Sequence, residues 1–279
     1  MDDDNNGYID DVHGISAINN DGDPMDDNDH GSHCAGTIAA TANDSGRIVG
    51  VAYGVKLMAL KFINADGNGA TSDAVKCIDY AISEGVDVLS TSWGSGRYSA
   101  TMLNIIRAAN DAGILFIATA GNGSSNTDIS ANFPSNYEVE NVISVAAIDR
   151  NGNLANFSNY GQTTVDIGAP GVDILSSTSG SDTEYSSFSG TSMATPYVAG
   201  VAALVLSQFP SASVIEQKNR ILSTAATLSS LTGKTLTGGM VDAHAALTVT
   251  GDGSLEISVS SNPYTLIEGE TASVFIKVT

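Results

Sequence analysis

The most apolar run in the chain is Val198-Ala199-Gly200-Val201-Ala202-Ala203-Leu204-Val205-Leu206, after which polar residues resume at Ser207-Gln208. A run apolar on every side predicts a helix buried all round. It is entered through a Gly turn at Ser189-Gly190, with Pro196 expected near the helix start, where a missing N–H breaks no internal bond. Elsewhere the apolar positions recur at helical spacing. Ala74, Cys77, Ile78, Ala81 and Ile82 share one face of a segment from about Thr71 to Glu84, which Gly85 ends. Thr101 to Ala112 repeats the pattern and stops at Gly113, and a further helix is predicted from about Ser213 to Thr224. The small residues from His30 to Ala40 suit a tightly packed helix beginning near His30. Between these lie strand patterns: Leu57–Phe62, Val86–Gly94, Ile114–Gly123 and Asn141–Ile148. Two more short strands surround the Gly-Pro turn within Thr164–Leu175. Strands alternating with helices predict an α/β fold: a mainly parallel central sheet with helices on both faces.

From Gly251 the period changes to two, in Leu255–Val259 and Ser273–Val278, punctuated by Asn262-Pro263 and Glu268-Gly269. This reads as the start of a C-terminal β-sandwich domain, cut off at Thr279. Two strands cannot close such a domain, so they are expected to be disordered or to dock on their neighbour. The expected division is therefore 1–249 for the main domain and 250–279 for a linker and the first strands of the next.

Composition narrows the partners. Acidic residues outnumber basic ones by 31 to 11, a net charge of −20. That argues against nucleic acid or an anionic membrane and leaves calcium, an extracellular setting or a soluble surface open. Cys34 and Cys77 are the only cysteines, too few for a disulfide framework; both read as buried small hydrophobes, with a bridge between them left open. Met1-Asp2-Asp3-Asp4 is the reverse of a secretory signal, and no run has the length of a membrane span. The N-terminus therefore reads as a cut in a longer chain.

Three positions carry candidate chemistry. Ser192 falls in the first turn of the buried helix, where backbone N–H groups and the helix dipole favour a developing anion; it could equally be a cap. His30 opens a helix, where its charged form is disfavoured, as a neutral base requires; a lone His is as often structural. Asn122 closes a strand in a Gly turn and by itself is only a turn residue. At the N-terminus Asp2, Asp4, Asn6, the Tyr8 carbonyl, Asp10 and Asp11 set oxygens around Gly7 as a calcium loop does, although His13 stands where an EF-hand has its closing Glu.

Gly190-Thr191-Ser192-Met193-Ala194-Thr195-Pro196, His30-Gly31-Ser32-His33-Cys34-Ala35-Gly36 and Ala120-Gly121-Asn122 together resemble the motifs of the subtilisin-like serine peptidases (subtilases), in family order. The resemblance runs from the N-terminal loop to about Leu247. It implies a secreted serine endopeptidase with Ser192 as nucleophile, His30 as base and Asn122 as oxyanion donor. His33 is implied as a structural neighbour. It also implies substrate walls at Gly67, Asn68 and Gly69, and at Ser92, Trp93 and Gly94, with Ala120 and Gly121 beside them. Trp93 could equally be core. Polypeptides are the expected partners, with no nucleic acid and no membrane; a monomer is expected, with calcium as the structural cofactor and no catalytic one. Cys34 after the second His is similar to the proteinase K branch, and the family often has a cis bond at a position like Phe133-Pro134. Asp29 stands where the family usually has Gly. His244 reads as surface or a cap.

One part is missing. The family's triad Asp ends an early apolar strand in an Asp-Ser/Thr-Gly turn. Asp44-Ser45-Gly46 has the letters but follows His30 and no apolar strand leads into it. The Asp is therefore expected upstream of Met1, and the segment alone is expected to be nearly inactive. Two other readings stay open: a peptide-binding pseudo-enzyme, favoured by the absent Asp, and an acidic calcium-binding adhesive protein, favoured by the charge and the β tail.

Overall fold

The computed structural model describes residues 6–9, 11–42 and 47–249. Asp2, Asp4, Asp10, the Asp44-Ser45-Gly46 turn and the segment 250–279 lie outside the described residues. In chain order the elements are β1 (Gly14–Ser16), α1 (His30–Ala39), β2 (Ala59–Lys61), α2 (Thr71–Ser83), β3 (Val88–Thr91), α3 (Ala100–Asp111), β4 (Leu115–Thr119) and β5 (Val142–Ile148). There follow β6 (Ile167–Pro170), β7 (Ile174–Ser177), β8 (Tyr185–Phe188), α4 (Thr191–Gln208), α5 (Val214–Ser223), β9 (Ala226–Thr227), β10 (Gly239–Met240) and α6 (Ala243–Thr248).

The main sheet has the order β3-β4-β5-β6-β10-β9 and is parallel except for the β10–β9 pair. Its two faces are covered by different helices, as a parallel sheet requires. Leu115 and Ile117 of β4 pack in one core with α4, α5 and α6, whereas Phe116 and Ala118 turn to a second core with α2 and α3. β5 is buried along its whole length. The predicted alternation of strands and helices is thus the observed one.

α4 runs through the first core, with Val198, Ala199, Val201, Ala202 and Val205 all buried. Its small residues let neighbours approach: a methyl at Gly200 would stand 2.6 Å from the Val51 side chain. Pro196 lies in the second turn of α4, not the first. Its missing N–H leaves the Ser192 carbonyl without a helical donor. The Ser92 hydroxyl donates to that carbonyl at 2.8 Å and the Cys34 thiol at 3.5 Å, which is why the helix tolerates the proline.

One other expectation needs correction. β2 is half-exposed and pairs with β1, not with the main sheet. β6 and the start of β7 are the two strands expected within Thr164–Leu175, but β7's partner β8 was not legible, since Tyr185-Ser186-Ser187-Phe188 has no period-two apolar pattern. The cysteines are not bridged, and burial pushes the Cys34 thiol up to about 11 and that of Cys77 to about 12. The Phe133–Pro134 bond is cis. No described helix is long and apolar enough to cross a membrane.

The loop that follows β4 is held by side chains of the segment 159–164. Asn159 accepts from the Gly123 and Ser125 amides and donates to the Ala120 carbonyl at 2.8 Å. Asp128 accepts from the Gln162, Thr163 and Thr164 amides and from both threonine hydroxyls. Burial by itself would raise the Asp128 carboxyl, but these hydrogen bonds outweigh it and hold the group below its ordinary value of 3.8. A depressed carboxyl stabilises the fold above its unfolded value, and that contribution is lost as pH falls through the folded one. Asp128→Ala is therefore expected to cost about 1–2 kcal/mol at neutral pH, after allowance for the carboxylate's exposure, and less below about pH 4. Thermal melts of variant and wild type across pH 3–7 check this.

Candidate active site

His30 is the first residue of α1, and Asp29 before it is the N-cap, in the left-handed region at φ 73°. The side chain of Asp29 does not cap its own helix. Asp26 does so from further back: its carboxylate accepts from the Ser32 amide at 2.7 Å and from the Asn28 amide at 2.9 Å. Burial alone would raise the Asp26 carboxyl, yet these bonds hold it below its ordinary value, so it is charged at neutral pH. The acidic loop is tied down at two further points. Lys61 donates to the Met25 carbonyl and pairs with Asp27 at 2.7 Å, and the Asn28 amide donates to the Ala65 carbonyl.

Burial is the largest influence on His30 and lowers its pKa; the charge of Asp26 opposes this and His33 adds to it. Burial in the cleft wall thus keeps the imidazole neutral. Among the described residues Asp26 is the carboxylate whose charge reaches His30. Asp26→Asn removes a charge that favours the imidazolium, so the His30 imidazole is expected to titrate at lower pH than in wild type. An NMR pH titration of the His30 ring in variant and wild type reads the direction directly.

His33 lies on the inner side of α1 and is fully buried. Its Nε2 stands 2.9 Å from the Ile174 carbonyl, and its ring stacks on Phe188 with centroids 4.5 Å apart. It is a structural neighbour, as expected. His244 is exposed on α6 and does not line the cleft.

Ser192 is the second residue of α4. Its hydroxyl donates to the Ser92 carbonyl at 3.0 Å, so in this state it points toward the wall strand. Asn122 is oriented without ambiguity. Its Oδ1 accepts from the Thr191 amide at 2.9 Å and from the Thr191 hydroxyl at 2.8 Å, and an amide N–H can only donate. The Nδ2 end is thereby left facing Gly190. A methyl placed on Gly190 would stand 3.6 Å from both Asn122 Nδ2 and the Ser192 amide, so two donors flank one spot. His30, Asn122, Ser192 and Met193 line a single open cleft of about 390 Å³ with Ser187, Phe188, Ser189 and Gly190.

The expected walls are loops next to β2 and β3. Gly67, Asn68 and Gly69 are exposed in a turn closed by the Gly67 amide on the Asn64 carbonyl. Ser92, Trp93 and Gly94 follow β3, and Trp93 is half-buried with its ring edge-on to Phe62 at 5.1 Å. Gly121 has φ 100°, and a side chain there would meet Asn159 at 2.5 Å. Ala120 needs correction: it is fully buried, its amide bonds Val145 and its carbonyl accepts from Asn159, so it stands behind the wall. Sequence reasoning missed Thr191 and Asp26. Thr191 had a signal, a hydroxyl beside Ser192; Asp26 acts through folding contacts.

Of the expected calcium donors, Asn6, Tyr8 and Asp11 are described. Asn6 donates to Asp11 at 2.8 Å and accepts from the Tyr8 amide, and Gly7 between Asn6 and Tyr8 has φ 95°. Tyr80 also donates to Asp11, and these two bonds hold the Asp11 carboxyl below its ordinary value. Among the described residues no group of three His, Cys, Asp or Glu side chains forms a metal site.

Comparison with known proteins gives consistent neighbours. The profile of the subtilase family matches residues 1–247. A thermophilic serine proteinase of Bacillus sp. (strain AK1) is 40% identical over 237 residues, covering 85% of this chain and 56% of that protein. Subtilisin DY of Bacillus licheniformis is 41% identical over 218 residues, covering 78% of this chain and 77% of that protein. Among solved structures, a cold adapted subtilisin-like serine proteinase superimposes with a TM-score of 0.70 at 29% identity, covering 85% of this chain and 80% of that one. A protease of Pseudoalteromonas arctica PAMC 21717 gives 0.71 at 36% identity, covering 78% and 70%.

Proposed function

Because the chain belongs to the subtilase family, we propose that the whole protein is a secreted, monomeric serine endopeptidase that cleaves polypeptides through an acyl-enzyme on Ser192. The observation that carries this reading is the meeting of His30, Asn122 and Ser192 in one cleft. The scissile peptide lies between the loops at Gly67–Gly69 and Ser92–Gly94, adding its backbone to theirs as a strand. Ser192 Oγ attacks the carbonyl carbon and His30 takes the hydroxyl proton. The tetrahedral oxyanion sits against Asn122 Nδ2 and the Ser192 amide, where preorganised donors stabilise charge as it develops. His30 then returns the proton to the leaving amine, the C–N bond breaks, and water repeats the sequence to release the acid.

A fluorophosphonate probe tests the reading on the full-length protein. Phosphonylation mapped to Ser192, together with cleavage of a casein substrate, supports it; labelling elsewhere, or none, sinks it. The N-terminal loop supports calcium as a structural ligand, with Asn6, Tyr8 and Asp11 among the donors. Chelation with EDTA is then expected to lower the melting temperature of the wild-type protein, and excess calcium to restore it.

A further inference from the structure

We propose that Asp29 is a positioning residue for the leaving-group side of the cleft, latching the tip of the β7–β8 hairpin to the start of α1. The inference rests on the peptidase reading above, which fixes what the cleft does.

Asp29 holds a φ of 73° that residues with side chains seldom adopt. Asp26 already supplies the cap that α1 needs, so the Asp29 carboxylate is free for another partner. It finds one 150 positions away: Oδ1 accepts from the Ser179 amide at 2.8 Å and from the Ser179 hydroxyl at 2.5 Å. This pair is the outer end of a polar seam between α1 and β7. Further in, the Ser177 hydroxyl donates to the Ser32 carbonyl at 3.0 Å and the Ser176 hydroxyl to the His33 carbonyl at 2.8 Å. The seam leaves no room for bulk, since a methyl on Gly36 would meet the Ser177 hydroxyl at 2.3 Å.

The strand that returns from the latched tip is β8, and its Ser187 and Phe188 line the cleft beside His30. On the peptidase reading the loops at Gly67–Gly69 and Ser92–Gly94 hold the acyl half of the peptide. The leaving amine takes its proton from His30, so it departs along the remaining wall, that of Ser187 to Ser189. An amine attacking the acyl-enzyme arrives by the same route. A hairpin fixed at its tip presents that wall in one place, and orientation of the amine is where catalysis is sensitive.

The full-length protein, acylated by a peptide ester in the presence of leucinamide, reads this wall as the ratio of aminolysis to hydrolysis. Asp29→Gly keeps the left-handed backbone free of strain and removes the carboxylate. It is expected to lower that ratio about fivefold, with a smaller fall in kcat/KM for the ester. Hydrogen exchange at the Ser179 amide is expected to quicken about tenfold, the loss of one bond to a charged acceptor. Asp29→Asn keeps an oxygen acceptor and is expected to recover most of both. An unchanged ratio overturns the positioning role, even if exchange quickens. Failure of Asn to recover the ratio overturns it as well. Wild type that the ester cannot acylate overturns the peptidase reading first, and the latch's role with it.

Discussion

Ser192→Ala is expected to lower kcat for peptide hydrolysis by about a millionfold, the loss seen on removing the serine or histidine of a subtilisin triad, and to leave the fold in place. The magnitude is borrowed from that related enzyme; the second half follows from this chain. Ser192 is not the cap of α4, since Gly190 holds that position. Its hydroxyl makes one hydrogen bond, to the Ser92 carbonyl, and alanine is a good helix former. The reciprocal bond, from the Ser92 hydroxyl to the Ser192 carbonyl, survives the change. The melting temperature of the variant should therefore stay within a few degrees of wild type while turnover vanishes. Steady-state kinetics on a chromogenic peptide, paired with calorimetry, separates the two. A variant that keeps a tenth of the activity removes Ser192 from the chemistry.

How far the sequence carried the fold depended on whether a segment's task was burial or wiring. β4 was legible because Leu115, Phe116, Ile117 and Ala118 must serve two cores at once, which makes the strand apolar throughout. α4 was legible for the same reason, and its motif marked Ser192. The β7–β8 hairpin was not, because it is held by serine hydroxyls on backbone carbonyls, which leave no hydropathy signal. The tasks of Asp26 and Asp29 left no signal for a related reason. Their partners are backbone amides, one of them far along the chain. Pro196 was expected to break no internal bond, and does free the Ser192 carbonyl, because the sequence does not reveal donors from other elements. With Ser92 and Cys34 on the freed carbonyl, the second turn becomes permissible. The three candidate residues of the site were found because the family motifs carry them; Thr191, which orients one of them, was in plain view without a stated task.

Asn122→Ala is expected to lower kcat by about 10²–10³-fold with KM little altered, a magnitude taken from removal of the corresponding donor in a subtilisin. The sense of the effect comes from the way the amide is held. Thr191 takes up Oδ1 with both its amide and its hydroxyl, so Nδ2 is the end offered to the cleft. A donor that meets the oxyanion but not the ground-state carbonyl contributes to kcat and not to KM. Asn122→Asp sharpens the test. The carboxylate still accepts both bonds from Thr191, so the loop keeps its anchor and stability should hold. The cleft, however, receives a second acceptor where it needs a donor, and negative charge faces negative charge. Asp at 122 is therefore expected to be at least as inactive as Ala while melting closer to wild type. If Asp retains more activity than Ala, the side chain serves only to hold the loop, and the oxyanion is stabilised from elsewhere.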